Sequence, residues 1–305
     1  MRPQSTNDNA SQEIRSEIDE IIARAMAEYA NAKGIDVFTE TPVAAQTPPP
    51  VEEEEPEYEA IPRNSESVLV SESTSRFSSA IWFDNIQTKT ITLAGLGGIG
   101  SYVAFLLARM NPERIILYDD DVVEEANMSG QLYSKNQVGQ AKVHATNNNL
   151  IEFANYYNTF VFNERFTSES APTGIMICGF DNMDARKQYY YRWKAFVDIL
   201  QEEDQKMCLF IDGRLAAENF QVFCITGDNK YYQSEYESKY LFSDYEADET
   251  ICSYKQTTFM ANMIGSIIVN LFVNFCANEC EPLVPRDLPF YTEYNAETMF
   301  FKVKA

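Results

Sequence analysis

Residues 91–121, ITLAGLGGIGSYVAFLLARMNPERIILYDDD, constrain this chain more than any other stretch. They read as a buried strand, a glycine turn, a helix over 101–110 and a second buried strand ending in acids. Gly95, Gly97, Gly98 and Gly100 allow a sharp turn that brings backbone N–H groups and a helix N-terminus against a phosphate. The helix would lay Val103, Leu106 and Leu107 on the sheet, and Asp119 and Asp121 fall where a ribose hydroxyl would lie. The pattern points to a nucleotide.

Bulk properties narrow the setting. The 305 residues leave room for a sizeable core, and 45% hydrophobic with 13% aromatic residues fit a globular protein. A formal net charge of −22 argues against a large nucleic-acid surface, which needs basic patches. The six cysteines (Cys178, Cys208, Cys224, Cys252, Cys276, Cys280) show no disulfide-scaffold spacing and no C-x-x-C pair. That predicts a reducing compartment, the cytoplasm, and no structural zinc. The start MRPQSTNDNA lacks an apolar signal region. The apolar run over 259–276 has transmembrane length, but Asn262, Asn270 and Asn274 interrupt it and predict a buried core helix.

Three segments follow. Residues 1–36 carry Ile14, Ile18, Ile21, Ala25 and Tyr29 at helical spacing, an amphipathic helix suited to pairing with something else. Residues 37–72 form a proline- and glutamate-rich linker that cannot bury a core and should be disordered. Residues 73–305 read as an α/β, Rossmann-like domain, a mostly parallel sheet with helices on both faces. Strands are expected near 159–162, 175–178 and within 209–225, with a helix from about Gln140 and a closing β-hairpin about Asn295 and Ala296. Residues 231–250 read as a long crossing loop.

A lone G-x-G-x-x-G is weak, but here it comes in an ordered set. GLGGIG, a D-x-D strand end, DDDVVEEANMSGQ, GQAK at 139–142 and DNMDAR at 181–186 follow one another. Together they resemble the ThiF/MoeB and ubiquitin-activating-enzyme family of adenylyltransferases, from about Arg76 onward. The resemblance implies ATP-dependent activation of a C-terminal carboxylate on a ubiquitin-like or sulfur-carrier protein ending in glycine, with Mg²⁺ and basic side chains neutralising the triphosphate. It also implies a homodimer, while the charge and the interrupted apolar run predict neither nucleic acid nor membrane as a partner.

On this resemblance, Gly95, Gly97 and Gly98 face the nucleotide and Asp119 is the ribose-binding acid. Asn127, Gln131 and Lys142 surround the triphosphate. Asp181 holds Mg²⁺ or the nucleotide, while Asn182, also placed to cap the next helix, and Arg186 complete D-N-x-x-x-R. Arg76 matches an arginine that reaches a partner's ATP in dimeric members. Cys252, just after the crossing loop, matches the acyl- or sulfur-carrying nucleophile, with acidic Asp248 and Glu249 nearby opposing a low thiol pKa. Cys178, Cys208 and Cys224 read as core thiols and His144 as a surface helix residue.

One departure stands out. Gly130 replaces the arginine of the family's N-x-x-R-Q, and Arg76 from a partner or Arg214 in an IDGR turn is expected to replace the charge. Two other readings stay open: a catalytically weak nucleotide-binding scaffold, or adenylation of a peptide or tRNA-borne carboxylate.

Overall fold

The structure is a computed structural model that describes residue 74, residues 76–242 and residues 256–304. The expected N-terminal helix, the linker and Cys252 lie outside the described residues.

Five strands run parallel in the order β3-β2-β1-β4-β5: β1 (Thr90–Ala94), β2 (Arg114–Tyr118), β3 (Thr159–Phe162), β4 (Ile175–Cys178) and β5 (Leu209–Ala216). Then β6 (Asn219–Thr226), β7 (Tyr291–Asn295) and β8 (Phe300–Lys304) extend the same sheet antiparallel to its far edge. The central strands read as unbroken apolar runs because both faces are covered. Alternation divides them. Ile91, Leu93, Ile115, Leu117 and Ile177 pack with Val103, Leu107, Ile264 and Phe272, whereas Ala94, Ile116, Tyr118 and Met176 pack with Tyr189, Tyr190, Trp193 and Tyr236.

The helix after β1 is Gly98–Met110, so it starts within the glycine turn rather than at Ser101. Leu106 is only partly buried, unlike Val103 and Leu107. Thr258–Asn278 is long and apolar enough to cross a membrane by length and composition, but 61% of its apolar window is buried within the domain. A short helix, Phe83–Ile86, is tied to the end of that core helix: Asn85 Nδ2 donates to the Cys276 carbonyl at 2.7 Å, and Lys89 ion-pairs with Glu279.

Two expectations need correction. Residues 230–239 are a helix, Lys230–Lys239, not part of a structureless loop. Asn229 caps it by accepting from the Tyr232 N–H at 3.0 Å, and Tyr236 anchors it in the core, a tertiary contact no local periodicity reveals. IDGR, read as a turn, lies mid-strand in β5, where Asp212 pairs with Phe223 and Arg214 with Gln221; the chain reverses at Ala217 and Glu218.

Candidate functional site

The candidate residues gather at the carboxyl ends of β1, β2 and β4, where chain order switches direction across the sheet and ligands of such folds bind. Gly95 leaves β1 at φ +83°, and its N–H donates to the Tyr118 carbonyl at 3.0 Å. A side chain there would be strained by the backbone alone. Gly100 sits against the Gly95 carbonyl oxygen, closer than any β-carbon permits. Gly97 is the N-cap of Gly98–Met110 and offers no side-chain cap, so the helix's first N–H groups remain available to an anion.

Asp119 grips this turn from the end of β2. Its Oδ2 accepts from the Leu96 N–H at 2.6 Å and its Oδ1 from the Asp121 N–H at 2.9 Å. Burial pushes its carboxyl pKa up, against the pull of the Leu96 N–H and Lys142. Each oxygen retains a lone pair for a further donor such as a ribose hydroxyl. Tyr133 clamps the same turn, donating to the Leu96 carbonyl at 2.7 Å and meeting Thr146 Oγ1 at 3.0 Å. Ser101 Oγ accepts from the Leu132 N–H at 3.0 Å, fastening the loop after β2 to the helix.

Lys142 opens helix Lys142–Ala154, and its Nζ meets Asp121 Oδ2 at 2.8 Å. Its side chain is only 8% exposed while that of Asp121 is 64% exposed, so a largely desolvated cation faces an acid that solvent already reaches. A phosphate could compete for that cation on favourable terms. Gln131 lies beside Gly97, with its Nε2 3.8 Å from where a β-carbon would sit, and its Oε1 is buried without a hydrogen-bond partner. An orphaned acceptor at a bare glycine corner fits a bound hydroxyl or amino group.

The remaining candidates divide. Asn127 Oδ1 braces its own turn, accepting from the Glu124 N–H at 2.8 Å in a capping box. Asn182 caps Met183–Asp198 through the Ala185 N–H at 2.8 Å, next to the exposed carboxylate of Asp181. Arg76 is exposed. Arg214 was expected to replace a missing phosphate charge and Arg186 to complete D-N-x-x-x-R; both guanidiniums meet Asp212, at 2.6 Å for Arg186 and 2.7 Å for Arg214. Arg186 also donates to the Phe180 carbonyl at 2.5 Å, and Arg214 stacks 4.6 Å over Phe223. These contacts make a buried floor beneath the β4 end rather than a phosphate clamp.

Four thiols are buried, at Cys178, Cys208, Cys224 and Cys276. Burial pushes Cys208 and Cys224 up to about 12, and Cys178 and Cys276 well above the usual thiol value, which makes all four poor nucleophiles at neutral pH. His144 is exposed on its helix, as expected. Among described residues, Tyr133, Asp212 and Gln256 shape the site without having been singled out in the sequence. Only Asp212 left a signal, an acid inside an apolar strand two residues before an arginine.

The ThiF family model matches residues 74–304. The chain belongs to the ThiF family. Over 69 residues it is 44% identical to ubiquitin-like modifier-activating enzyme 5 of Caenorhabditis elegans, covering 23% of this chain and 16% of that protein. Over 121 residues it is 32% identical to the Drosophila willistoni protein of the same name, covering 34% of this chain and 30% of that one. The matched stretches therefore span less than a third of either relative. Among solved structures, PaaA superposes with TM-score 0.59 at 15% identity, covering 80% of this chain and 77% of that one. E. coli MccB with ATP gives TM-score 0.56 at 14% identity, covering 77% of this chain and 71% of that one. At such identities the likeness establishes the ThiF fold alone.

Proposed function

We propose that this chain adenylates the C-terminal carboxylate of a small ubiquitin-like protein, sulfur carrier or peptide. A carboxylate oxygen attacks the α-phosphorus of ATP, the bond from that phosphorus to the bridging oxygen breaks, and pyrophosphate leaves with the electron pair. The observation that carries this reading is the desolvated Lys142 cation beside Asp119 and the bare N-terminus of Gly98–Met110. Such an arrangement stabilises charge that develops on phosphate oxygens. Asp119 would take the ribose, and the Gln131 amide N–H with the Gly97–Gly98 corner would take the phosphates. Asp181, an exposed hard-oxygen donor at the β4 end, would hold Mg²⁺, which would neutralise the leaving pyrophosphate.

The relatives named as ubiquitin-like modifier-activating enzymes support a protein substrate, and the MccB structures with MccA support a peptide. A homodimer in which Arg76 crosses to the partner's site, and a cytoplasmic setting, belong to the same proposal. So does acyl or sulfur transfer to Cys252.

ATP–pyrophosphate exchange in the presence of Mg²⁺ and small proteins or peptides ending in glycine tests the reading. Wild-type exchange is expected, with Lys142→Ala lowering it by about 10²–10³-fold, as for removal of one electrostatic contact to a transition state. A thiol-sensitive adduct that disappears in Cys252→Ala would extend the reading to acyl transfer. Binding of ATP without exchange, whatever the carboxylate offered, would establish a nucleotide-binding scaffold instead.

A further inference from the structure

Gln256 stands immediately before the core helix, held from two sides. Its backbone forms a parallel bridge with Ala217 at the end of β5, and the Thr258 hydroxyl two residues on donates to the Ser129 carbonyl. This delivers its side-chain amide onto the glycine turn. A β-carbon at Gly98 would overlap Gln256 Oε1 and lie 2.6 Å from Cδ and 2.8 Å from Nε2. One at Gly130 would lie 3.0 Å from Gln256 Cγ and 3.3 Å from Nε2. The two glycines thus form a slot for one amide, and any side chain at either position must contend with it.

The slot lies over the first turn of Gly98–Met110, where unpaired backbone N–H groups and the helix dipole favour an anion. Gln131 flanks the same corner, its Nε2 3.8 Å from where a β-carbon of Gly97 would sit. Lys142, the desolvated cation nearby, is already engaged by Asp121. Side-chain amides therefore reach the corner from two separate segments, Gln256 by virtue of the space that Gly98 and Gly130 leave.

We propose that Gln256 is a positioning residue for the nucleotide's phosphates, its amide N–H donating where Gly130 has no side chain to offer. The inference rests on the adenylation reading only insofar as that reading supplies a triphosphate ligand. Gln256 and a side chain at Gly130 then compete for one contact.

Calorimetric titration of the full chain with a non-hydrolysable ATP analogue and Mg²⁺, and in parallel with adenosine, separates the possibilities. Gln256→Ala is expected to weaken the analogue about tenfold or more, the worth of one hydrogen bond to a charged group, while leaving adenosine affinity unchanged. Gly130→Arg alone is expected to lower both the melting temperature and analogue affinity, because the arginine collides with Gln256. Gly130→Arg with Gln256→Ala is expected to regain both. Unchanged analogue binding in Gln256→Ala, or a Gly130→Arg phenotype indifferent to residue 256, overturns the inference and leaves the adenylation reading intact. Wild-type protein that binds no analogue overturns both, and the melting temperatures of the Gly130 and Gln256 variants still report whether the two positions share one slot.

Discussion

Asp212→Asn is expected to cost the domain about 3–5 kcal/mol of stability at pH 7, the usual penalty for breaking a buried ion pair from one side. Asp212 is fully buried and accepts from Arg186 Nε at 2.6 Å, Arg214 Nε at 2.7 Å and the Tyr236 hydroxyl at 2.8 Å. The Cys178 thiol donates to it as well, at 3.2 Å. Asparagine keeps the shape but removes the charge, leaving two guanidiniums in the interior without their counterion. Burial by itself would raise the carboxyl pKa, yet the two arginines overcome it and hold Asp212 well below the usual carboxylate range. The pH dependence follows from that sign. A depressed acid contributes its stability at every pH above its unfolded value of about 3.9 and loses it only as pH falls further. Urea unfolding should therefore show the full gap between wild type and variant from pH 5 to 8, and a narrowing gap at pH 3. A gap below 1 kcal/mol at pH 7, or one that widens in acid, would contradict this account.

That network also marks where the sequence stops being readable. Strands β1, β2 and β4 were legible because burial on both faces turns them into continuous apolar runs, and the glycine turn was legible because few other patterns demand so many glycines. The residues of the site were harder. Asp119 could be singled out by its place at the strand end after the turn and Lys142 only by resemblance to a family motif, whereas Arg214 read as a replacement phosphate charge until the structure paired it, with Arg186, to Asp212. Nothing local distinguishes an arginine facing a ligand from one facing a carboxylate on another strand. The helix Lys230–Lys239 was missed for a related reason. Its sequence, KYYQSEYESK, has little amphipathic contrast, and what holds it is the Asn229 cap and the insertion of Tyr236 among Tyr190, Phe210 and Phe223. Gln256 is the extreme case. Its role depends on two glycines brought to it by the fold, and a glutamine before a helix announces none of that.

Gly100→Ala should be the most disruptive single methyl group that can be added to the proposed nucleotide cradle. The new β-carbon would overlap the Gly95 carbonyl oxygen and come 2.9 Å from the Gly95 carbonyl carbon. The turn cannot simply retreat. Gly95 is held by the Tyr118 carbonyl at 3.0 Å and by its left-handed backbone at φ +83°, and Leu96 is held by Asp119 at 2.6 Å. Relief must come from moving the helix Gly98–Met110 away from β1, which opens the corner proposed for phosphate and loosens Val103 and Leu107 in the core. The expected cost is about 3 kcal/mol, the upper range for overpacking a rigid site, together with loss of measurable binding of an ATP analogue. Gly139→Ala supplies the control. Gly139 also has a left-handed backbone, at φ +87°, but a β-carbon there meets nothing within 4 Å. It should lose only about 1–2 kcal/mol of stability, to backbone strain, and keep its affinity for the ATP analogue. Chemical denaturation and analogue titration of both variants distinguish steric collision from backbone conformation. If Gly100→Ala behaves like Gly139→Ala in both measurements, the close approach of helix to strand is not what builds this cradle.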